Sequence, residues 1–572
     1  MFLHFFCRDF KLSNQNITGI VYNGFKGCGN MNLKKVLACL TGLMLVMSPI
    51  CVYANENDIV ARSEDGTQTY TDYTSAWNAA LDGTNIVMTS DWNLSDHLVV
   101  SEGKTATIEM NGHKISRNLE TNAKLDGEVI YVDNNATLNL NGNNEPRTNF
   151  SFYGFNEKNE SEAYSLTSGG LITGGASTNG AGGIHMKKGS TMNLNQVAVA
   201  GNTSSILITS SAGGGVYLSE DCSLNMKNSY VDYNKAKDGG GLYVSGSNVI
   251  INMDRSSISH NYAIRNGGAI NSNCDATYVC MNKDSNIVGN YARELGGGIY
   301  FYNPYCQITS EDGLAEISEN ESGKNGGAAY FEANVRGNTA KVNKITFNSN
   351  SSAGNGGAID MAQSNVRIED CKFNNNSGAS GGAVYLEAAT YITNCTFENN
   401  RASDKGGAIA DFIPGTTIDN CTITNNYSDS EGGGVYVYQQ YDIALSGKVV
   451  IKDNKRRGDY ADDLMLQKTW LNTAYVKGEV KEGSSVGIRT GDTGETKIGK
   501  DITSDCSQYF FLNDDGNYCI NYEDGTLYKR TSSLVGSIFG NENLGVSILM
   551  MIGIVVVGVA CLVVHKKKNR VF

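Results

Sequence analysis

The stretch that decides the fold is Phe347-Asn348-Ser349-Asn350-Ser351-Ser352-Ala353-Gly354-Asn355-Gly356-Gly357-Ala358-Ile359. It joins two short patterns. The first is an apolar residue, two variable residues and Asn. The second follows about five or six residues later: Gly-Gly, a small residue, an aliphatic residue and often Tyr. The Gly-Gly element begins at Gly213, Gly239, Gly267, Gly296, Gly326, Gly356, Gly381, Gly406 and Gly432, with a weaker copy at Ala181-Gly182-Gly183-Ile184. Copies lie roughly 25–32 residues apart, the signature of a repeat architecture. The Asn element keeps step as Val231/Asn234, Ile258/Asn261, Ile287/Asn290, Ile317/Asn320, Phe347/Asn350, Phe373/Asn376, Phe397/Asn400 and Ile423/Asn426, and once more as Ile451/Asn454.

The repeat unit carries no helical pattern. Between its turn residues lie short alternating runs such as Ser223-Leu224-Asn225-Met226 and Val366-Arg367-Ile368-Glu369. Period two means strands with one face buried. A single coil of such strands cannot bury its apolar face, whereas a stack can, so the unit reads as one coil of a solenoid. Roughly 370 residues at about 26 per coil predict on the order of 14 coils.

Alternation fixes directions on the strand after the glycines. Val216 and Leu218 point inward and Tyr217 outward; Ile299 and Phe301 point inward with Tyr300 outward; Val384 and Leu386 point inward with Tyr385 outward. The outward position reads His185, Tyr217, Tyr243, Asn271, Tyr300, Tyr330, Asp360, Tyr385, Ala410, Tyr436 down the stack. Its tyrosines, Tyr217, Tyr243, Tyr300, Tyr330, Tyr385 and Tyr436, are the candidate ligand-binding residues, because rings on an open sheet can stack on sugars or pack against a protein. The competing reading is a cross-rung ladder that stabilises the sheet. The Gly-Gly pair marks the turn into this strand and a close approach of neighbouring coils. The recurring Asn predicts a ladder at a neighbouring turn, each amide bonded to the next. Cys371, Cys395 and Cys421 fall at one register position and should stack as small buried hydrophobes. A metal or redox cluster would call for His or CxxC partners that do not accompany them.

The pattern resembles the repeats of polymorphic outer-membrane proteins, defined by GGA[ILV] and FxxN, and the wider pectate-lyase-like class of right-handed parallel β-helices. The matching residues include Gly356-Gly357-Ala358-Ile359, Gly406-Gly407-Ala408-Ile409, Phe347-Asn348-Ser349-Asn350 and Phe397-Glu398-Asn399-Asn400, and the likeness covers about residues 180–455. It implies a right-handed parallel β-helix displayed at a cell surface. It does not extend to the C-terminus, where that family carries an outer-membrane β-barrel and this chain has one apolar segment. A cell with a single membrane and an exposed outer face fits that ending better.

The flanks predict the rest of an all-β solenoid with N- and C-terminal caps and one C-terminal transmembrane helix. Residues 1–30 fit no secretory plan and read as an over-extended start. Residues 31–54 read as a signal peptide: Lys34-Lys35, a mainly apolar run from Val36 to Met47, and small residues near Val52-Tyr53-Ala54. Residues 55–180 are assigned to an N-terminal cap and the first coils. Thr74 to Leu81 suggests a capping helix with Ala76, Trp77, Ala80 and Leu81 on one stripe. The similar runs Thr107-Ile108-Glu109-Met110-Asn111-Gly112 and Thr137-Leu138-Asn139-Leu140-Asn141-Gly142 should stack, and Asn143 to Thr178 reads as a loop inserted into a coil. Residues 181–455 form the Gly-Gly repeat, 456–530 a C-terminal cap and 531–543 a linker. Leu544 to Val564 is twenty-one uncharged residues, long enough to span a membrane, followed by the basic tail 565–572 that should stay cytoplasmic. That topology leaves Asn55 to about Asn543 outside, as a soluble ectodomain on a single-pass anchor.

Composition narrows function. Gly 66 and Pro 4, with abundant β-branched residues, describe a turn-rich folded chain rather than a disordered one. A net charge of −13, with no basic block outside the membrane-flanking segments, argues against nucleic acid as a partner. Nine Cys in the presumed ectodomain leave at least one unpaired. The sequence predicts no catalytic constellation, no cofactor and no metal site. The Gly-strand column offers one acid, Asp360, and no Arg, and Asp462-Asp463 is the only adjacent acid pair in or beside the shaft that invites a catalytic reading. Gly378-Ala379-Ser380-Gly381-Gly382 matches a nucleophile elbow in letters alone, since it lies in a repeat turn. Two functions compete on this reading. One is an adhesin or surface scaffold that binds glycans or a surface protein; the other is a polysaccharide lyase or glycoside hydrolase.

Overall fold

The computed structural model describes residues 59–531, apart from 120–126, 144–146, 157, 159, 179, 205–211, 303–304, 333–338, 363–364, 439–440, 469–473 and 514–517. The over-extended start, the signal segment, almost all of the linker, the Leu544 to Val564 span and the basic tail lie outside the described residues. Among the described residues no helix is long and apolar enough to cross a membrane.

The chain winds as a right-handed parallel β-solenoid of about 13 turns. One coil shows the plan: strands Val384–Leu386, Tyr391–Thr393, Thr396–Glu398 and Arg401–Ala402. Each pairs in parallel with its equivalent one coil on, at Ile409–Asp411, Thr416–Asp419, Thr422–Thr424 and Tyr427–Ser428. The strands after the nine Gly-Gly motifs form one parallel column, in register from Val216↔Leu242 to Ile409↔Val435. A stack of this kind lets short two- to six-residue strands satisfy their backbone groups and bury one face together.

Inward positions fill the shaft. Val216, Leu218, Phe301, Val384 and Leu386 are fully buried. The apolar residue of the Asn element makes its own column, in which the rings of Phe347, Phe373 and Phe397 stack at 4.8 and 4.6 Å. Burying each such ring is worth about 1.5–3 kcal/mol.

The two glycines of the motif serve different purposes. Gly356 has φ +63, a left-handed conformation that a β-carbon disfavours. Gly357 lies against the next coil: a β-carbon there would sit 2.1 Å from the carbonyl oxygen of Gly382 and 2.5 Å from the backbone of Ser377.

The asparagines form a continuous buried ladder from Asn202 through Asn454. In each rung after Asn202, whose oxygen accepts from Gly175 N–H, the side-chain oxygen accepts from the backbone N–H and the amide of the Asn one coil before it, as Asn376 does from Asn350 at 3.0 Å in both bonds. Each amide also donates to a backbone carbonyl, as Asn376 does to Phe347 at 3.0 Å. The three cysteines repeat this logic at another turn. The Sγ of Cys395 accepts from the N–H of Cys371 at 3.4 Å, and that of Cys421 from Cys395 at 3.3 Å. Equivalent turns use serine, with Ser256 Oγ accepting from Ser229 N–H at 3.1 Å, so the column is a packing and turn device.

At the N-terminal side, helix α1 (Tyr73–Leu81) starts at Asp72, whose carboxylate accepts from Ser75 N–H at 2.8 Å. Its buried residues Ala76, Trp77 and Ala80 join the solenoid core, and the Trp77 indole donates to Val99 O. The two similar runs that follow do stack, but two residues out of their motif alignment, with Thr107 opposite Asn139 and Ile108 opposite Leu140. A shift of two keeps every side chain on its own face, so burial does not forbid it.

The loop expected at 143–178 is corrected in two ways: Leu171–Thr173 and Ala176–Ser177 belong to the coil itself, paired in parallel with Lys114–Ser116 and Thr203–Ser204, and the inserted part before them is not a plain loop. It contains an antiparallel hairpin, β1 (Thr148–Phe155) with β2 (Ser161–Ser168). Phe150 and Phe152 of the hairpin bury a second small core with Leu171, Ala198 and Ala200 on the solenoid's outer surface. Alternation was hidden there by the polar partners on the exposed strand. At the C-terminal side the parallel order ends in antiparallel pairs, Thr496–Gly499 and Tyr518–Glu523 flanking Thr526–Thr531.

Candidate functional site

The Gly-strand column divides its aromatic residues into two groups. Tyr217 and Tyr243 stay half-exposed and pair with ring centroids 5.3 Å apart. They continue a run of rings through earlier coils: His97 to Tyr131 at 6.3 Å, Tyr131 to His185 at 5.3 Å, and His185 to Tyr217 at 4.7 Å. All five rings are half-buried, which leaves part of each in reach of solvent. Burial, helped by Lys187, pushes His185 down to about 4, so its ring is a neutral member of the strip at neutral pH.

The other four tyrosines of the column are covered. Tyr300, Tyr330, Tyr385 and Tyr436 are 7, 9, 8 and 0 % exposed, which corrects the expectation of six rings on an open face. They point outward from the shaft as alternation requires, but side chains beyond the strand ends close over them. Tyr300 and Tyr330 stack on each other at 5.8 Å and 4°, and the Tyr300 hydroxyl donates to Glu332 at 2.6 Å. Phe412 lies between Tyr385 and Tyr436, at 5.2 and 5.6 Å, and packs on Tyr438. Burial first, and then neighbouring carboxylates, raise the hydroxyl pKa of Tyr300, Tyr330, Tyr385 and Tyr436. In this half of the column the rings act as the cross-rung ladder.

Asp360 sits between Tyr330 and Tyr385 in the same column and is 1 % exposed. Burial and the nearby Glu387 push its carboxyl well above the usual range. Glu332 bonds Tyr300, and Glu387 accepts from the Tyr385 hydroxyl at 3.2 Å. The structure therefore gathers Glu332, Asp360 and Glu387 among three tyrosines. Reading one outward position per strand missed the two glutamates. Each stands two residues past an outward Tyr, and the same period of two that placed the tyrosines puts these glutamates on that face.

The acid pair Asp462-Asp463 is structural. Asp463 Oδ1 accepts from the backbone N–H and the amide of Asn454 at 2.8 and 2.9 Å, taking the place of the next Asn in the ladder. Its own N–H and its Oδ2 are satisfied by Asn513, at 3.0 and 2.9 Å. Asp462 is buried in a two-bond pair with Arg489, at 2.8 Å each, and also accepts from Gly432 N–H. A carboxylate suits this position because its two oxygens accept from an amide on each side, Asn454 and Asn513. Among the described residues, no group of three or more His, Cys, Asp or Glu is placed to hold a metal ion.

A second aromatic site lies where the inserted hairpin meets the turn before the ladder asparagines. Tyr164 of β2 stacks on Tyr233 at 3.8 Å, and Tyr233 on His260 at 4.7 Å and 9°. The His260 Nδ1 lies 3.0 Å from Asp232. Burial lowers the His260 pKa, but Asp232 and Glu319 outweigh it, and the net shift is upward. Tyr262 and Tyr291 stack beside these rings at 5.5 Å. Sequence reading passed over Tyr233 and His260. The available signal was their position just before the ladder Asn, which later coils give to Asn375, Asn399 and Asn425.

No curated protein and no solved structure matches the chain. Residues 333–464 match a family model described as the right handed beta helix region, in agreement with the parallel coils seen there.

Proposed function

We propose that the protein is a cell-surface adhesin or scaffold that holds an extended glycan or surface-protein ligand against the outer face of its solenoid. The observation that carries this reading is the half-exposed strip Tyr131, His185, Tyr217 and Tyr243, with one ring per coil at 4.7–5.3 Å. A ligand lying along the coil stack can touch several of these rings at once. Each contact contributes on the order of 1 kcal/mol, so affinity comes from their number. In this reading the Leu544 to Val564 segment anchors the chain, residues 31–54 direct its export, and α1 and the antiparallel C-terminal strands cap the open ends of the coil stack. A glycan array probed with the ectodomain and with Tyr217→Ala/Tyr243→Ala tests it. The parent should bind a defined set of glycans that the double variant loses while keeping its β-sheet signal. Equal binding by both proteins would refute the strip as the site.

A second reading has its own observation. The Glu332, Asp360 and Glu387 cluster sets a carboxyl whose pKa burial raises beside two other carboxylic residues, an arrangement that glycoside hydrolysis can use. Release of reducing sugar from a polysaccharide panel, abolished by Asp360→Asn, would favour this reading over the binding one.

A further inference from the structure

The turn residue just before each ladder Asn has a left-handed backbone. It is Tyr233, His260, Glu319, Ser349, Asn375, Asn399, Asn425 and Asp453 in the coils where it is not glycine, with φ between +49 and +60. Asn, Asp, His and Gly adopt this conformation comparatively readily, whereas bulky aromatic residues such as Tyr rarely do. Placing Tyr233 there costs stability, and residues held in such conformations cluster at ligand sites. The coil after His260 has Gly289, with φ +64.

The consequence is a gap in an aromatic stack. Tyr164, Tyr233 and His260 lie face to face, and the imidazole is clamped by Asp232. The far side of the imidazole looks over Gly289, where a β-carbon would lie 3.0 Å from Cδ2 and 3.3 Å from Nε2 of the ring. The His260 side chain is 47 % exposed, so this face is open. The cleft measures about 150 Å³ and is lined by Phe155, Asn156, Tyr164, Tyr233, His260, Tyr262 and Tyr291 around the Gly289 floor. That is room for one ring, well below the roughly 300 Å³ at which pockets for drug-sized ligands begin.

We propose that this cleft is a binding site for a single uncharged hexopyranose, such as one residue of a glycan chain, seated over Gly289 with its C–H face on the His260 ring. Aromatic faces meet the apolar side of such a ring, and the Tyr262 and Tyr291 hydroxyls of the lining meet its hydroxyl groups, while the Asn156 amide is already bonded to Glu160 and Glu162. A peptide aromatic ring would leave that polar rim without partners. A uronic acid is disfavoured by the charge balance around the cleft, where Asp232, Glu160, Glu162 and Glu319 outnumber Lys235, whose ammonium lies over the Phe155 ring, and Arg293 beside Tyr262 and Tyr291. The hairpin supplies one wall, and Gly154 lets it come close, since a β-carbon there would meet Cβ of Tyr233 at 2.7 Å. The site lies apart from the Gly-strand strip and does not depend on it.

The test uses the full chain in lipid nanodiscs and saturation-transfer NMR. The probes are the methyl glycosides of glucose, galactose and mannose, with methyl glucuronoside and N-acetyltyrosinamide for comparison. At least one neutral glycoside should bind with a dissociation constant on the order of millimolar, as expected for one small ring. Gly289→Asn puts the side chain that later coils carry at this turn into the cleft, so the variant should fold as the parent does and bind at least tenfold more weakly. His260→Asn should do the same. Tyr217→Ala/Tyr243→Ala should leave binding here unchanged, which separates this site from the strip. The proposal is overturned if no neutral glycoside binds the parent, if only N-acetyltyrosinamide or the glucuronoside binds, or if both the Gly289 and His260 variants bind like the parent.

Discussion

Replacing Asn376 with alanine removes one rung from the middle of the asparagine ladder, and its cost can be worked from the bonds. The side-chain oxygen accepts from Asn350 N–H and from the Asn350 amide, both at 3.0 Å; the amide donates to Phe347 O at 3.0 Å and to Asn400 Oδ1 at 2.9 Å. After truncation the Asn350 amide still reaches Ile317 O, and Asn400 Oδ1 still accepts from the residue 376 N–H. One buried group, the Asn350 N–H, is left without a partner, whereas the Phe347 carbonyl keeps its strand bond from Asn374 N–H. At about 1–3 kcal/mol for an unsatisfied buried group, the variant should lose about 1–3 kcal/mol. Because coils contact only their neighbours, the loss should concentrate in the coils on either side. Hydrogen exchange should show faster exchange around residues 345–400 and little change near 105–141. Thermal unfolding should start earlier. Asn375→Gly, one residue away, keeps a left-handed backbone at an exposed site and should change stability by about 0.5 kcal/mol or less. If the Asn376 and Asn375 variants behave alike, or if Asn350 remains protected in Asn376→Ala, the ladder does not carry the stability assigned to it.

Gly357→Ala drives a β-carbon against Gly382 O and the Ser377 backbone and should cost about 3 kcal/mol or more; an unchanged melting curve would refute the close-approach account. Asp411 is fully buried and points into the core between Leu386 and Val437; burial raises its pKa to about 7 from 3.8. Because the folded-state pKa is the higher one, its contribution to stability is complete below about pH 4 and is lost as pH rises to about 7, a change of ~4 kcal/mol. Asp411→Asn should therefore match the parent near pH 4 and melt higher at pH 8, and parallel pH profiles would contradict the assignment. Tyr300→Ala with Tyr330→Ala should destabilise the solenoid, because these rings are buried and stacked; normal stability would show that the covered half of the column is not a structural ladder.

The repeat by itself determined the coil. Its glycines, alternating strands and asparagines act over neighbouring residues or over one fixed coil spacing, so the parallel columns, the inward Val216 and Leu218, the asparagine ladder and the buried cysteines could be read from the sequence. Helix α1 was legible for the same reason, since its stripe is local. Tertiary structure decided what covers a face. Tyr217 and Tyr300 occupy equivalent strand positions, yet only the first remains open, because the covering side chains come from turns that differ from coil to coil. The clustering of Glu332 and Glu387 around Asp360 is a contact across three coils. The stacking of Tyr164 on Tyr233 joins a hairpin to a turn about seventy residues away. Such contacts leave no period in the sequence, since they depend on how the insertion folds back and not on the repeat that carries it.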